Sequence, residues 1–147
     1  MASNRHLGRI IALQTLYEVE FRLNCEDKEV KLEDVYKRNL ARYEKTVSDK
    51  AFVKQLVQGV FKSRSKLDEK IQPIAPEWPL SQIARIDLTI LRMALYELTE
   101  MGDVAPPKVV INEAVELAKA FGSDNSSRFI NGVLGTAYRA LQGEKDK

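Results

Sequence analysis

Apolar residues recur along most of this chain at the three- and four-residue spacing that gathers side chains on one face of a helix. A two-residue strand alternation is convincing nowhere. The pattern is strongest across residues 106–141, PPKVVINEAVELAKAFGSDNSSRFINGVLGTAYRAL. Val110, Ile111, Ala114, Leu117, Ala118 and Phe121 make one stripe; Phe129, Ile130, Val133, Leu134, Ala137, Tyr138 and Leu141 make a second. Pro107 suits a first helical turn, Gly122 a helix end, and Ser123-Asp124-Asn125-Ser126 is rich in N-capping residues. The stretch is predicted to be a helical hairpin.

Upstream, the spacing predicts a first helix over residues 4–23, capped by Asn4, with Leu7, Ile10, Ile11, Leu16, Tyr17 and Phe21 available for burial. Residues 24–31 read as a polar loop. Leu32, Val35, Tyr36, Leu40 and Tyr43 mark a second helix, whose outer face of Lys37, Arg38, Arg42 and Lys45 reads as solvated. Thr46 and Asp49 resemble a capping box before a long helix carrying Phe52, Val53, Leu56, Val57, Val60, Phe61, Leu67 and Ile71. That helix is expected to be the spine of an N-terminal half. Pro73, Pro76 and Pro79 then break helical structure and place the boundary between halves within residues 72–80, with Trp78 as a packing anchor across it. A short turn at 81–84 leads to a helix over 87–101, capped by Asp87 and bearing Ile90, Leu91, Ala94, Leu95 and Leu98. Gly132 and Gly135, each costing about 1 kcal/mol in helix propensity, suggest a close helix contact in the last helix. The predicted fold is all-α: one domain, a compact bundle of two packed three-helix-like halves, residues 1–72 and 80–142.

Composition narrows the function. With 44% hydrophobic and 30% charged residues the chain is globular, and no apolar run approaches the roughly 20 residues of a membrane span. Gln14, Glu18 and Glu20 fit a secretory signal poorly, so a cytoplasmic location is expected. The single cysteine, Cys25, excludes an internal disulfide and a cysteine-rich zinc site. One histidine leaves no Ser-His-Asp or Cys-His machinery and no His-rich metal site, and NGVLG is a helical segment rather than a phosphate-binding turn. Glu113 and Glu116, three residues apart on a helix, read as solvated or capping groups rather than as a catalytic carboxylate pair. The expectation is a binding protein without enzymatic activity, metal or cofactor. Net charge is only +2, so distribution matters more: Arg5, His6 and Arg9 stand at an acid-free end, while Glu18 and Glu20 lie toward the other end of the same helix. Arg5 and Arg9 share a helix face and could reach adjacent phosphates; a solvated helix start is the plainer alternative.

The string INEAVELAK, then FG, a polar turn and SxRFINGVLG places Asn112, Glu113, Phe121, Gly122, Phe129, Asn131 and Gly132 in one register. It resembles the C-terminal signature of the NusB family of bacterial transcription antitermination factors. ALQTLY at residues 12–17, PEWPLSQIARID at 76–87, and Arg92, Tyr96 and Glu97 in LRMALYEL are similar to further family segments. The resemblance implies a NusB-like fold. It also implies binding of the single-stranded boxA element of nascent ribosomal RNA, jointly with the ribosomal protein NusE, on elongating RNA polymerase. Carried over residue by residue, it assigns RNA contacts to Arg5, His6, Arg9, Tyr17, Phe121, Ser127 and Arg128, and a partner interface to Arg85, Asp87 and Arg92, although Arg92 with Glu97 reads better as an internal salt bridge. The arginine run departs from the family pattern: Leu7 and Gly8 interrupt it, which implies weaker or pH-dependent RNA affinity. Phe121 either closes the core or offers its ring to a base. Two alternatives stand beside RNA binding. One is a helical scaffold in ribosome biogenesis; the other is a protein that recruits an RNA methyltransferase and binds little RNA of its own. An apolar strip along the first helix could also pair two copies.

Overall fold

The computed structural model describes residues 2–145, and among them there are helices and turns but no strands. Seven α-helices follow in order: α1 (Ala2–Asn24), α2 (Leu32–Ala41), α3 (Lys50–Lys62), α4 (Arg64–Ile74), α5 (Arg85–Glu100), α6 (Pro107–Phe121) and α7 (Ser126–Lys145), with a 3₁₀ turn at Leu80–Gln82. None is long and apolar enough to cross a membrane among the described residues. The chain divides into two compact units, residues 1–62 and 63–147.

The long helix expected over residues 52–71 is interrupted. Ser63 leaves helical geometry (φ −101°, ψ 13°) between α3 and α4, so the division falls about ten residues ahead of the proline segment expected to contain it. Burial explains this. Phe52, Val53, Leu56, Val57 and Val60 of α3 are buried in the first unit, where α3 packs on α1, whereas Leu67 and Ile71 of α4 are buried in the second, where α4 packs on α5 and α7. Pro73 does not break α4 either; it is accommodated within the last turn.

In the first unit the hub is α1 rather than α3, since α2 and α3 each pack against it. Ile11, Ala12 and Leu13 are buried in succession, with Leu16 and Val19 beyond them, because neighbours cover more than one face of the helix. Each large side chain so buried is worth about 1.5–3 kcal/mol. Within this apolar interior the buried Asn39 donates from Nδ2 to Thr15 Oγ1 at 3.1 Å, pairing two polar groups that would otherwise be left unsatisfied between α1 and α2. Asn4 lies inside the helix rather than ahead of it, and its side chain is outside the described ones. Asp49 alone caps α3, its Oδ1 accepting the Phe52 N–H at 3.0 Å, so the expected box with Thr46 reduces to one residue.

Glycine is needed at Gly8. A Cβ there would stand 2.9 Å from Val53 Cγ2, and Val53 is itself fully buried. The residue that interrupts the basic run thus lets α1 approach α3. The expected close contact at Gly132 and Gly135 is absent: a Cβ on Gly132 would meet nothing within 4 Å, and one on Gly135 only the Arg139 side chain at 3.5 Å.

The end of α1 is a Schellman turn, with Glu26 N–H donating to Leu23 O at 3.0 Å and Asp27 N–H to Arg22 O at 2.9 Å. Glu26 sits at the left-handed position with φ 63°. Beside it a charge network ties α1 to α2 and to the following loop. Glu18 accepts from Arg38 and, at 3.1 Å, from Arg22, which also donates to Asp27 at 2.8 Å. Hydrogen bonding from Arg38 foremost, then from Arg22, holds the Glu18 carboxyl below its usual value against the opposing effect of burial. One residue of the supposedly solvated basic face is therefore turned back onto α1.

In the second unit α5 packs against α4, α6 and α7, and residues 89–95 are buried without a break. The helix starts two residues before Asp87, so Ala84 occupies the N-cap position and Asp87 is no cap. Gln72 at the end of α4 clamps the connector that follows: its Nε2 donates to Trp78 O at 2.9 Å and its Oε1 accepts the Leu80 N–H at 3.2 Å.

A non-glycine residue held in left-handed geometry costs about 1–2 kcal/mol. Glu26→Gly is therefore expected to raise the unfolding free energy of the protein by about 0.5–1 kcal/mol, read from urea unfolding; an unchanged or lowered midpoint would contradict the strain assigned to this turn.

Candidate nucleic-acid interface

The α6–α7 connection is built around Ser126. Its Oγ accepts the Ser123 N–H at 2.9 Å and lies 3.2 Å from the Ser123 hydroxyl, closing a turn whose first residue must be glycine. A Cβ on Gly122 would fall 2.5 Å from Ser126 Oγ and 2.8 Å from the Ala118 carbonyl oxygen. The turn sets the start of α7, and with it Ser127, Arg128 and Phe129. Arg128 is exposed, while Ser127 and Phe129 are half-buried. Phe121, the last residue of α6, is 40% exposed, which removes the reading in which it closes the core.

Trp78 is not a buried anchor; 48% of it is exposed. It lines two adjoining clefts of the second unit. One, of about 290 Å³, is formed by Trp78, Gln82, Asp87, Asn125, Ser126 and Phe129 with Ile83, Ala84 and Ser123. The other, also about 290 Å³, includes Glu77, Trp78, Arg128, Phe129 and Gly132. Gly132, without a close helix neighbour, lines this second cleft. Asp87 is 7% exposed and its Oδ1 has no hydrogen-bond partner. Burial pushes its carboxyl above the ordinary value, and a hydrogen bond from the Ser126 hydroxyl partly opposes this. A further groove of about 450 Å³ on the hairpin presents Lys108, Asn112, Asn131, Tyr138 and Arg139, bringing the two asparagines of the motif to one surface.

The basic start of α1 is arranged differently from expectation. Arg9 is 2% exposed, with its guanidinium 5.2 Å from the centroid of the Phe52 ring, so it is an interior cation packed on an aromatic face rather than a phosphate ligand. Arg5 and Arg9 do share a face, but that face points at α3. Arg5 lies 5.8 Å from the same ring centroid and 3.8 Å from Asp49, and remains half-buried, as does His6. Tyr17, also half-buried, stacks on the exposed Phe21 with ring centroids 6.4 Å apart. These four residues belong to the first unit and Phe121, Ser127 and Arg128 to the second.

Arg92 is likewise interior. Its Nε and Nη2 donate to the two oxygens of Asp68 at 2.7 and 2.8 Å, joining α5 to α4, so it leaves the set of partner-facing residues. Arg85 stays half-exposed.

The model of the NusB family matches residues 6–139. This chain belongs to the NusB family. It is 44% identical to the transcription antitermination protein NusB of Chloroflexus aggregans over 147 residues, covering 99% of this chain and 94% of that one. It is 45% identical to that of Roseiflexus castenholzii over 137 residues, 92% of each. Among solved structures, T. maritima NusB superposes with a TM-score of 0.76 at 30% identity, covering 89% and 87% of the two chains. A structure of the antitermination factors NusB and NusE in complex with dsRNA contains a chain of the same fold, with a TM-score of 0.77 at 22% identity over 95% and 99%. The all-α, NusB-like architecture expected from the signature at residues 109–135 is the observed one.

The motif had pointed to Phe121 and Arg128 but missed Trp78 and the cleft side of Phe129. A tryptophan framed by prolines reads as a packing anchor, and its display depends on the connector held by the Gln72 clamp, which spacing does not show.

Two outcomes follow. Replacing Arg92 by alanine removes both of its hydrogen bonds to the partly exposed Asp68 carboxylate and is expected to cost roughly 2 kcal/mol in urea unfolding, against less than about 0.5 kcal/mol for Lys119→Ala in the exposed pair with Glu116. Asp87 has a raised folded-state pKa, so its relative contribution to stability is greatest below the ordinary carboxylate range and is lost as pH rises through the folded value. Asp87→Asn should therefore raise the thermal midpoint near neutral pH and lose that advantage in acid; a variant less stable at neutral pH would reverse the assignment.

Proposed function

We propose that this protein is an RNA-binding transcription antitermination factor. It holds the boxA element of nascent ribosomal RNA jointly with the ribosomal protein NusE, on elongating RNA polymerase. Family membership and the relatives named as antitermination proteins support the general activity. The observation that carries RNA contact is the display of aromatic and basic groups around the start of α7. Trp78 and Phe121 are exposed, and Arg128 lines a cleft with Trp78 and Phe129. Aromatic faces that stack bases, with a cation for the phosphate, suit single-stranded RNA better than a duplex, which is read by shape. Arg5, His6 and Tyr17 of the first unit remain candidates for further contacts. Arg85 remains the half-exposed candidate on the partner side, and Asp87, expected beside it, lies buried in the cleft wall. The exposed Phe21 and Leu23 on α1, beside Tyr17, make the strip through which two copies could associate. The protein does no chemistry of its own in this role; binding energy alone tethers RNA to partner.

Fluorescence anisotropy tests the reading with a labelled boxA-like single strand, a scrambled strand and the corresponding duplex, each with and without NusE. Preference for the boxA-like strand that sharpens with NusE supports it. Equal, weak, purely salt-driven binding to all three would favour the helical-scaffold reading. Arg128→Ala is expected to weaken single-strand binding by about three- to tenfold and to lower the slope of log affinity against log salt by about one, while thermal stability stays unchanged. An unaltered slope would remove Arg128 from the phosphate path.

A further inference from the structure

On the reading that the protein binds single-stranded RNA, we propose that the cleft between Trp78, Phe129 and Asp87 is a pocket for one unpaired guanine. The base stacks on the tryptophan and is read by the Asp87 carboxylate. Three features of the second unit meet there. The cleft is about 290 Å³, room for a planar ring system, and its walls include the half-exposed indole of Trp78 and the ring of Phe129. The deep wall carries Asp87, more than nine-tenths buried, whose Oδ1 has no hydrogen-bond partner, an arrangement that is costly unless a donor reaches it. Gln82 and Asn125, each with a side-chain amide, belong to the same lining.

The chemistry of Asp87 selects the base. An ionised carboxylate only accepts hydrogen bonds. Guanine alone presents two adjacent donors, N1–H and the N2 amino group, on its Watson–Crick edge, followed by an acceptor at O6 that a Gln82 or Asn125 amide can satisfy. Uracil would set two carbonyl oxygens beside the one donor, cytosine a carbonyl and a ring nitrogen beside its amino group, and adenine a ring nitrogen; each leaves acceptor facing acceptor. Arg128 lines the neighbouring cleft that shares Trp78 and Phe129, and supplies a cation for the phosphate next to the held base. Recognition of this kind requires a splayed-out base, as in an unpaired strand.

Trp78 is the single tryptophan, so its fluorescence reports the pocket directly. The full chain is titrated with a short labelled single-stranded RNA containing one guanine, and with the same strand carrying inosine or adenine there. Anisotropy follows total binding and Trp78 emission follows the pocket. The guanine strand is expected to bind about tenfold tighter than the inosine strand, which lacks the N2 amino group, and to quench Trp78 more strongly. Asp87→Asn should bring the guanine and inosine strands to equal affinity, with its fold checked by thermal unfolding. Trp78→Leu, at a surface position, should weaken the guanine strand most. Equal affinity for the three strands with unchanged Trp78 emission overturns the pocket while leaving RNA binding in place. Loss of NusE binding in Asp87→Asn with RNA discrimination intact also overturns it, assigning the cleft to a protein partner. Absence of any anisotropy change overturns the RNA reading itself.

Discussion

The turn between α6 and α7 is the constraint on which the candidate site depends. Ser126 Oγ occupies the space a side chain on Gly122 would need and at the same time accepts the Ser123 N–H. A glycine and a serine four residues apart thereby stop one helix and start the next with little freedom between them. Because α7 begins there, the directions of Arg128 and Phe129 follow from the turn. Ser126 at the start of α7 and Asp87 on α5 line the same cleft, so the hairpin and α5 meet there.

Three of the charged groups buried in the protein, Arg92, Arg9 and Asp87, are handled in three physical ways. Arg92 is matched by both oxygens of Asp68, an arrangement that leaves little of the guanidinium unsatisfied. Arg9 lies over the face of Phe52, where the ring quadrupole and contact with the guanidinium plane offset part of the lost hydration. Asp87 has only partial compensation, and its raised pKa expresses the remainder. Buried groups left short of partners are more often tied to binding than fully paired ones are, which is why the proposed chemistry centres on Asp87 and not on the arginines.

The helical hairpin, its ends and the glycine at its turn were legible because they depend on neighbours a few residues apart. The break at Ser63 was not. Apolar spacing continues through it from Phe61 to Leu67, and only the fact that α3 and α4 pack in different units separates them. Arg9 was misplaced for a related reason. Its four-residue spacing from Arg5 correctly put both on one face, but spacing alone does not say whether that face meets water or α3.

By itself, then, the sequence determined the all-α class, the places of the helices apart from the division between α3 and α4, and the family signature, since helix periodicity, caps and breakers act over one or two turns. Tertiary structure alone decided which polar groups were buried or displayed: Arg9 and Arg92 turned inward, Trp78 turned outward, and Asp87 was moved from a supposed cap to a cleft wall. The reason is that exposure depends on what packs against a residue from elsewhere in the chain. Local spacing specifies a face but does not name its neighbour.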